Sequence, residues 1–268
     1  GRPMTRDDWY RHPAAAAVAF LATSVALLAL RPLLAVDETR YLTVAWEMWQ
    51  GGSRIVPHLN GEIYSDKPPL LFWLVNLVWA VVGPSEFAAR LVGPAAGVAV
   101  ILLAARLSRT LWPQAPAREG RTAWILATGG VFLAYASATM FDALLAVAVV
   151  GAMLALWAMG RHPGWRPAAG LGVALAFGVL AKGPVILVHV LPVALAFPFW
   201  RPADGTARPR DMAAGVGLGV LVALALVGLW LVPALVFGDA GYRNDILWRQ
   251  SAGRMVASFA HDRPVWFY

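Results

Sequence analysis

Long apolar runs separated by short charged segments dominate the chain. A bilayer core of about 30 Å takes roughly 20 helical residues, and the runs 14–34, 87–107, 122–141, 143–159 and 212–237 meet or approach that length. Two shorter runs, 168–181 and 185–200, meet at Lys182-Gly183-Pro184 and predict a helical hairpin turning there. The first run has 21 residues, enough to span, and no small-residue cleavage pattern follows it, so it is expected to be a span rather than a cleaved leader. Residues 69–82 differ: they number 14, open with Pro68-Pro69 and close at Gly83-Pro84.

Whether 69–82 crosses decides the sidedness of everything after it, and arginine placement decides that. If it does not cross, the loops 106–121, 161–166 and 201–210, with four, two and three arginines, join Arg2, Arg6 and Arg11 on the cytoplasmic side. If it crosses, all nine loop arginines lie outside, against the positive-inside rule. The expected topology is therefore seven transmembrane helices, with 69–82 a juxtamembrane or re-entrant helix carrying Trp73 and Trp79 at the interface. Residues 1–237 form the membrane core with a large external loop, 35–86, and 238–268 form a second external segment. The aromatic run 261–268 reads as the approach to another span, so a longer protein is expected.

Composition agrees: 59% hydrophobic and 14% charged residues, with mean hydropathy +0.62, mark an all-α polytopic membrane protein. The net charge of +7 reports topology and not nucleic acid, because the arginines sit in short loops between apolar runs. Zero cysteines exclude disulfides and thiolate metal sites. His58, His189 and His261 have no metal-ligand spacing, and no phosphate-binding glycine motif follows a strand. No cofactor is implied, and a divalent metal stays an open alternative.

The candidate chemistry lies where ionisable groups meet the membrane boundary. Asp37 and Glu38 open the external loop, and Asp142 lies in the tight turn between two spans, on the same side in the expected topology. Partly desolvated carboxylates there suit a general base or an acceptor-orienting group; the plainer alternative makes Asp37 the N-cap of a helix 38–50 and Asp142 a turn residue. Lys67, between Asp66 and two prolines, suits a phosphate or, alternatively, snorkels at the interface paired with Asp66. Lys182 beside Gly183 combines an ammonium with exposed backbone N–H groups, or is an ordinary loop lysine. Arg243, Arg249 and Arg254 stand outside against the charge rule and favour an anionic ligand or headgroup.

These residues resemble a known family. Asp37-Glu38-Thr39-Arg40-Tyr41, Ile55-Val56-Pro57-His58-Leu59-Asn60-Gly61 and Tyr64-Ser65-Asp66-Lys67-Pro68-Pro69-Leu70 resemble the first external loop of the lipid A aminoarabinose transferases and their relatives, within the protein O-mannosyltransferase-like superfamily of GT-C glycosyltransferases. Glu86 to Leu91, Asp142, Lys182-Gly183 and His261 to Tyr268 match in order. The resemblance implies a GT-C fold and an enzyme of the bacterial inner membrane, its active face periplasmic. Such an enzyme moves a sugar, with inversion, from a polyprenyl-phosphate donor to lipid A or a related envelope glycolipid, or alternatively to a protein or another glycan. By match, Asp37 is the principal catalytic carboxylate and Asp142 the second, while Lys67 and Arg254 hold the donor phosphate. Glu38, Arg40, Tyr41, Tyr64, Asp66 and Lys182 line the site. Two departures stand out: Asp66 precedes Lys67 where the family usually has Glu, and Ser251 stands where it often has His. The rival class is a transporter or a non-catalytic lipid-phosphate-binding protein. Against it, no inverted repeat is visible and the charges gather at one face rather than at mid-membrane.

Overall fold

A computed structural model describes residues 12–247. In chain order the helices are α1 (Pro13–Leu30), α2 (Asp37–Trp49), α3 (Leu70–Val82), α4 (Glu86–Arg90), α5 (Val92–Leu111), α6 (Ala117–Thr128), α7 (Gly130–Ala136), α8 (Phe141–Arg161), α9 (Trp165–Lys182), α10 (Val185–Leu195), α11 (Phe197–Trp200), α12 (Pro209–Phe237) and α13 (Ala240–Asn244). A two-stranded hairpin, β1 (His58–Leu59) and β2 (Glu62–Ile63), lies between α2 and α3.

Among the described residues, four helical stretches are long and apolar enough to cross a membrane: Pro13–Leu30, Glu86–Leu111, Phe141–Arg161 and Pro209–Phe237. The other three expected crossings are not met by single long apolar helices. The 122–141 run breaks where Gly129 turns extended (ψ 114°), dividing α6 from α7; glycine inside a helix is costly. α9 carries Arg166 and Lys182 within its 18 residues, and the run after Gly183 breaks between α10 and α11. α1 also stops earlier than its apolar run, because Arg31 precedes Pro32 and takes an extended conformation, as pre-proline residues tend to.

The long loop 35–86 folds on the end of the bundle. α2 buries Glu38, Tyr41, Leu42, Ala45 and Met48, the i, i+3, i+4 stripe of an amphipathic helix, against α3, where the Asn76 amide donates to the Ala45 carbonyl at 2.9 Å. The hairpin turns at Asn60-Gly61, both with positive φ (56° and 82°), the conformation Asn-Gly favours. Below the loop, α8 packs between α5 and α9, and α9 packs along α12. A side chain at Gly172 would strike the Gly219 carbonyl at 2.6 Å, so the α9–α12 approach depends on small residues.

Candidate active site

The site is built where α2 and the 64–69 segment meet the start of α8 and the end of α9. Asp37 is the first residue of α2, with Val36 and not Asp37 at the N-cap. Val36 has φ 72°, a strained value for a β-branched residue, and strain of this kind survives only where surroundings impose it. The imposing group is Glu38, which is fully buried. Its Oε1 accepts from Arg31 Nη2 at 3.0 Å and from the Thr139 N–H at 2.8 Å; its Oε2 accepts from Arg31 Nη1 and from the Leu34 N–H at 2.8 Å. Arg90, also buried, donates to the Arg31 carbonyl at 3.0 Å and pairs with Glu86. One carboxylate thus ties the end of α1, the start of α2 and the stretch leading into α8. Burial alone would raise its pKa, but the Arg31 hydrogen bonds, the two backbone N–H donors and the Arg31 charge prevail and hold it at about 2.

Next to this clamp, buried aromatic rings meet half-exposed charged groups. Tyr41 Oη makes a long, 3.4 Å hydrogen bond to Asp37 Oδ1. Burial, with the Asp37 charge next, pushes the Tyr41 pKa up and keeps the phenol protonated as the donor. Tyr64 is raised by burial too, opposed by the neighbouring Arg40 guanidinium, with Asp66 and Asp37 close enough to contribute. Phe141 is the hub: Tyr41 meets it edge-on at 4.8 Å, Phe72 at 5.8 Å, and Lys67 Nζ lies 6.0 Å from its ring. The next residue, Asp142, sits in the first turn of α8, not in the turn before it, and its Oδ1 accepts from Lys182 Nζ at 2.6 Å. A half-exposed pair of this kind contributes little to stability. Its effect is to fix a carboxylate and an ammonium at the mouth of a cavity.

A cavity of about 240 Å³ next to this pair is lined by Asp66, Lys67 and Lys182 together with the apolar Val179, Val227, Trp230 and Leu231. A cationic rim over an apolar wall fits an amphiphile with an anionic head. Asp245 accepts a 2.6 Å hydrogen bond from Ser65, one of the lining residues, and Trp230 donates to the Ile55 carbonyl at 2.8 Å, tying α12 to the loop.

Of the residues expected at the site, the structure brings Asp37, Arg40, Tyr41, Tyr64, Asp66, Lys67, Asp142 and Lys182 to one end of the bundle. Glu38 lies beneath it with both oxygens occupied by protein donors. Arg254 lies outside the described residues, as do Arg249 and Ser251. Sequence reasoning missed Arg31 as the partner of Glu38 and Arg90 as the donor that holds the Arg31 carbonyl, although arginines at the ends of apolar runs are a signal for them. It also missed the hairpin, whose Asn60-Gly61 signal was present.

Fold and site together define a polytopic, all-α membrane protein of GT-C type with a cluster of charged groups at one end. Residues 66–232 match the family model described as dolichyl-phosphate-mannose-protein mannosyltransferase, and the chain belongs to that family. It is 32% identical over 246 residues to the undecaprenyl phosphate-alpha-4-amino-4-deoxy-L-arabinose arabinosyl transferase of Pseudomonas paraeruginosa, covering 87% of this chain and 42% of the relative. It is 27% identical to the enzyme of that name from Pseudomonas savastanoi pv. phaseolicola, covering 97% of this chain and 48% of the relative. The fold matches the crystal structure of ArnT from Cupriavidus metallidurans bound to undecaprenyl phosphate, with TM-score 0.72 and 22% identity over 92% of this chain and 45% of that one. The chain thus spans less than half the length of these relatives.

Proposed function

We propose that the chain carries the catalytic face of an inverting membrane glycosyltransferase. It takes a sugar from a polyprenyl-phosphate donor and passes it to lipid A or a related envelope glycolipid, on the periplasmic side of a bacterial inner membrane. The single observation that carries this reading is the cavity that sets Lys67 and Lys182 among apolar residues, beside the Phe141 ring that Tyr41 meets edge-on and the Asp142–Lys182 pair. The names of the arabinosyl transferase relatives support the donor class.

In this mechanism the donor phosphate sits at Lys67, with Arg254 as its second cation, and the lipid tail runs along the apolar wall. The acceptor oxygen attacks the anomeric carbon on the face opposite the phosphate, so the new glycosidic bond forms as the carbon–oxygen bond to phosphate breaks, and configuration inverts. Charge grows on the leaving phosphate, where fixed cations in a poorly solvated site stabilise it most. Asp37, oriented by Tyr41 and by the Glu38 clamp, removes the proton from a hydroxyl acceptor or orients an acceptor phosphate that is already anionic. Asp142, held by Lys182, is the second carboxylate.

The test is transfer of labelled sugar from a polyprenyl-phosphate donor by full-length protein in proteoliposomes. Asp37→Asn is expected to lower turnover by about two orders of magnitude or more with normal membrane insertion. Near-normal turnover by a well-folded variant would reject Asp37 as the catalytic carboxylate.

A further inference from the structure

Away from the candidate active site, the opposite, arginine-rich end of the bundle holds a second cleft of about 450 Å³ between α5, α8 and α9. Its polar lining is Arg106 and Thr110 from α5, Trp157 and Arg161 from α8, and His162 just beyond. Trp157 Nε1 and Arg161 Nε are buried there without a hydrogen-bond partner among the described residues. Those two atoms are shut off from the open space, so the groups the cleft itself presents are the guanidinium ends of Arg106 and Arg161 with Thr110 and His162, a donor set suited to an oxygen-rich anion. Asp204 takes only Arg161 Nη2, at 2.7 Å.

The cleft does not end at the charges. Leu103 and Gly170 line both it and an apolar groove over α8 that continues past Gly151 and Ala174. That groove in turn shares Val147 and Phe177 with a third apolar hollow that reaches α3. Gly151, Gly170 and Ala174 keep the channel open because their side chains do not fill it. From Arg161 back to Val147 along α8 is 14 residues, about 21 Å at the helical rise, longer than the roughly 15 Å of one leaflet's hydrocarbon. A cationic pocket at the head of an acyl-chain-length groove has the shape and charge of a phospholipid. The surrounding loops, 106–121, 161–166 and 201–211, hold nine arginines against three acids, which favours an anionic headgroup.

We propose that this cleft is a specific binding site for an anionic glycerophospholipid, its phosphate at Arg106, Arg161 and His162 and one acyl chain in the groove over α8. The probe is phosphatidylglycerol titrated against the detergent-solubilised full chain, with bound lipid counted by native mass spectrometry, beside phosphatidylcholine, inorganic phosphate and undecaprenyl phosphate. Wild type is expected to retain one phosphatidylglycerol in preference to phosphatidylcholine. The variant Arg106→Gln/Arg161→Gln is expected to lose about tenfold or more of that affinity, given the usual contribution of each arginine. Gly170→Leu blocks the junction of cleft and groove without altering charge; a β-carbon there lies an ordinary 4.0 Å from Ala155, and with a melting temperature matching wild type as the check on folding, the same loss is expected. Arg121→Gln, outside the cleft, is expected to bind as wild type. Equal loss in Arg121→Gln would reduce the effect to diffuse surface charge and overturn the proposal. So would unchanged binding in Gly170→Leu, equal retention of phosphatidylcholine, displacement by millimolar inorganic phosphate alone, or competition by undecaprenyl phosphate for the same place.

Discussion

Replacing Glu38 by Gln isolates the clamp beneath the candidate active site. The two carboxylate oxygens accept four hydrogen bonds, two from the Arg31 guanidinium and one each from the Leu34 and Thr139 N–H groups. A glutamine of the same shape offers one acceptor oxygen and one NH₂ donor, so in either orientation two of those four donors face another donor. Breaking a buried charge pair from one side costs about 3 to 5 kcal/mol. A second route gives a similar figure: lowering the pKa from 4.5 to about 2 corresponds to roughly 3 kcal/mol of stability at neutral pH. Because the folded-state pKa is depressed, this stability is present above pH 4.5 and is lost as pH falls from there towards 2. Thermal unfolding in detergent is the assay. At pH 7, Glu38→Gln is expected to melt roughly 6 °C or more below wild type, and the gap is expected to close as pH drops below 4.5, where wild type loses the charge that the variant never had. A variant melting within about 2 °C of wild type at pH 7, or a gap independent of pH down to 3, would refute the reasoning. A loss of activity at unchanged melting temperature would instead move Glu38 from the fold to the chemistry.

Three further outcomes are expected. Gly93→Ala would bring a methyl group to 2.2 Å from the Ala138 carbonyl, in the stretch Glu38 holds, and so is expected to destabilise by about 1 to 3 kcal/mol, read as a lower melting temperature; an unchanged melt would mean α5 can shift freely. Polyprenyl-phosphate affinity in nanodiscs is expected to fall by roughly 1.5 to 3 kcal/mol in Lys67→Ala and in Arg254→Ala, and by less than the sum in the double variant; additive losses, or wild-type binding by Arg254→Ala, would confine the donor site to Lys67. Single cysteines at Ser65 and Ala143 are expected to be labelled from outside intact cells and one at Ala117 not; opposite labelling of Ser65 and Ala143 would show that α3 crosses the membrane.

The order of apolar runs and charged loops was sufficient to read a helical membrane protein, because crossing a bilayer demands long uninterrupted apolar stretches and little else. Element ends at local signals were equally legible: Gly183 between α9 and α10, and the short helix α3 behind two prolines, follow from backbone sterics within a few residues. The residues gathered at the candidate site were legible as types, since charges at a membrane boundary are costly unless used. What they touch was not. That Asp142 pairs with Lys182, 40 residues away, and that Glu38 accepts from Thr139, 101 residues away, depends on which helices pack side by side. Tertiary structure also separated two adjacent acids that look alike in the chain. Consecutive residues at the start of a helix point about 100° apart, so Glu38 turns into the core onto Arg31 while Asp37 stays half-exposed beside Tyr41. Only the packing of α1, α2 and the segment before α8 around that one turn decides which carboxylate holds the fold and which faces the cavity end.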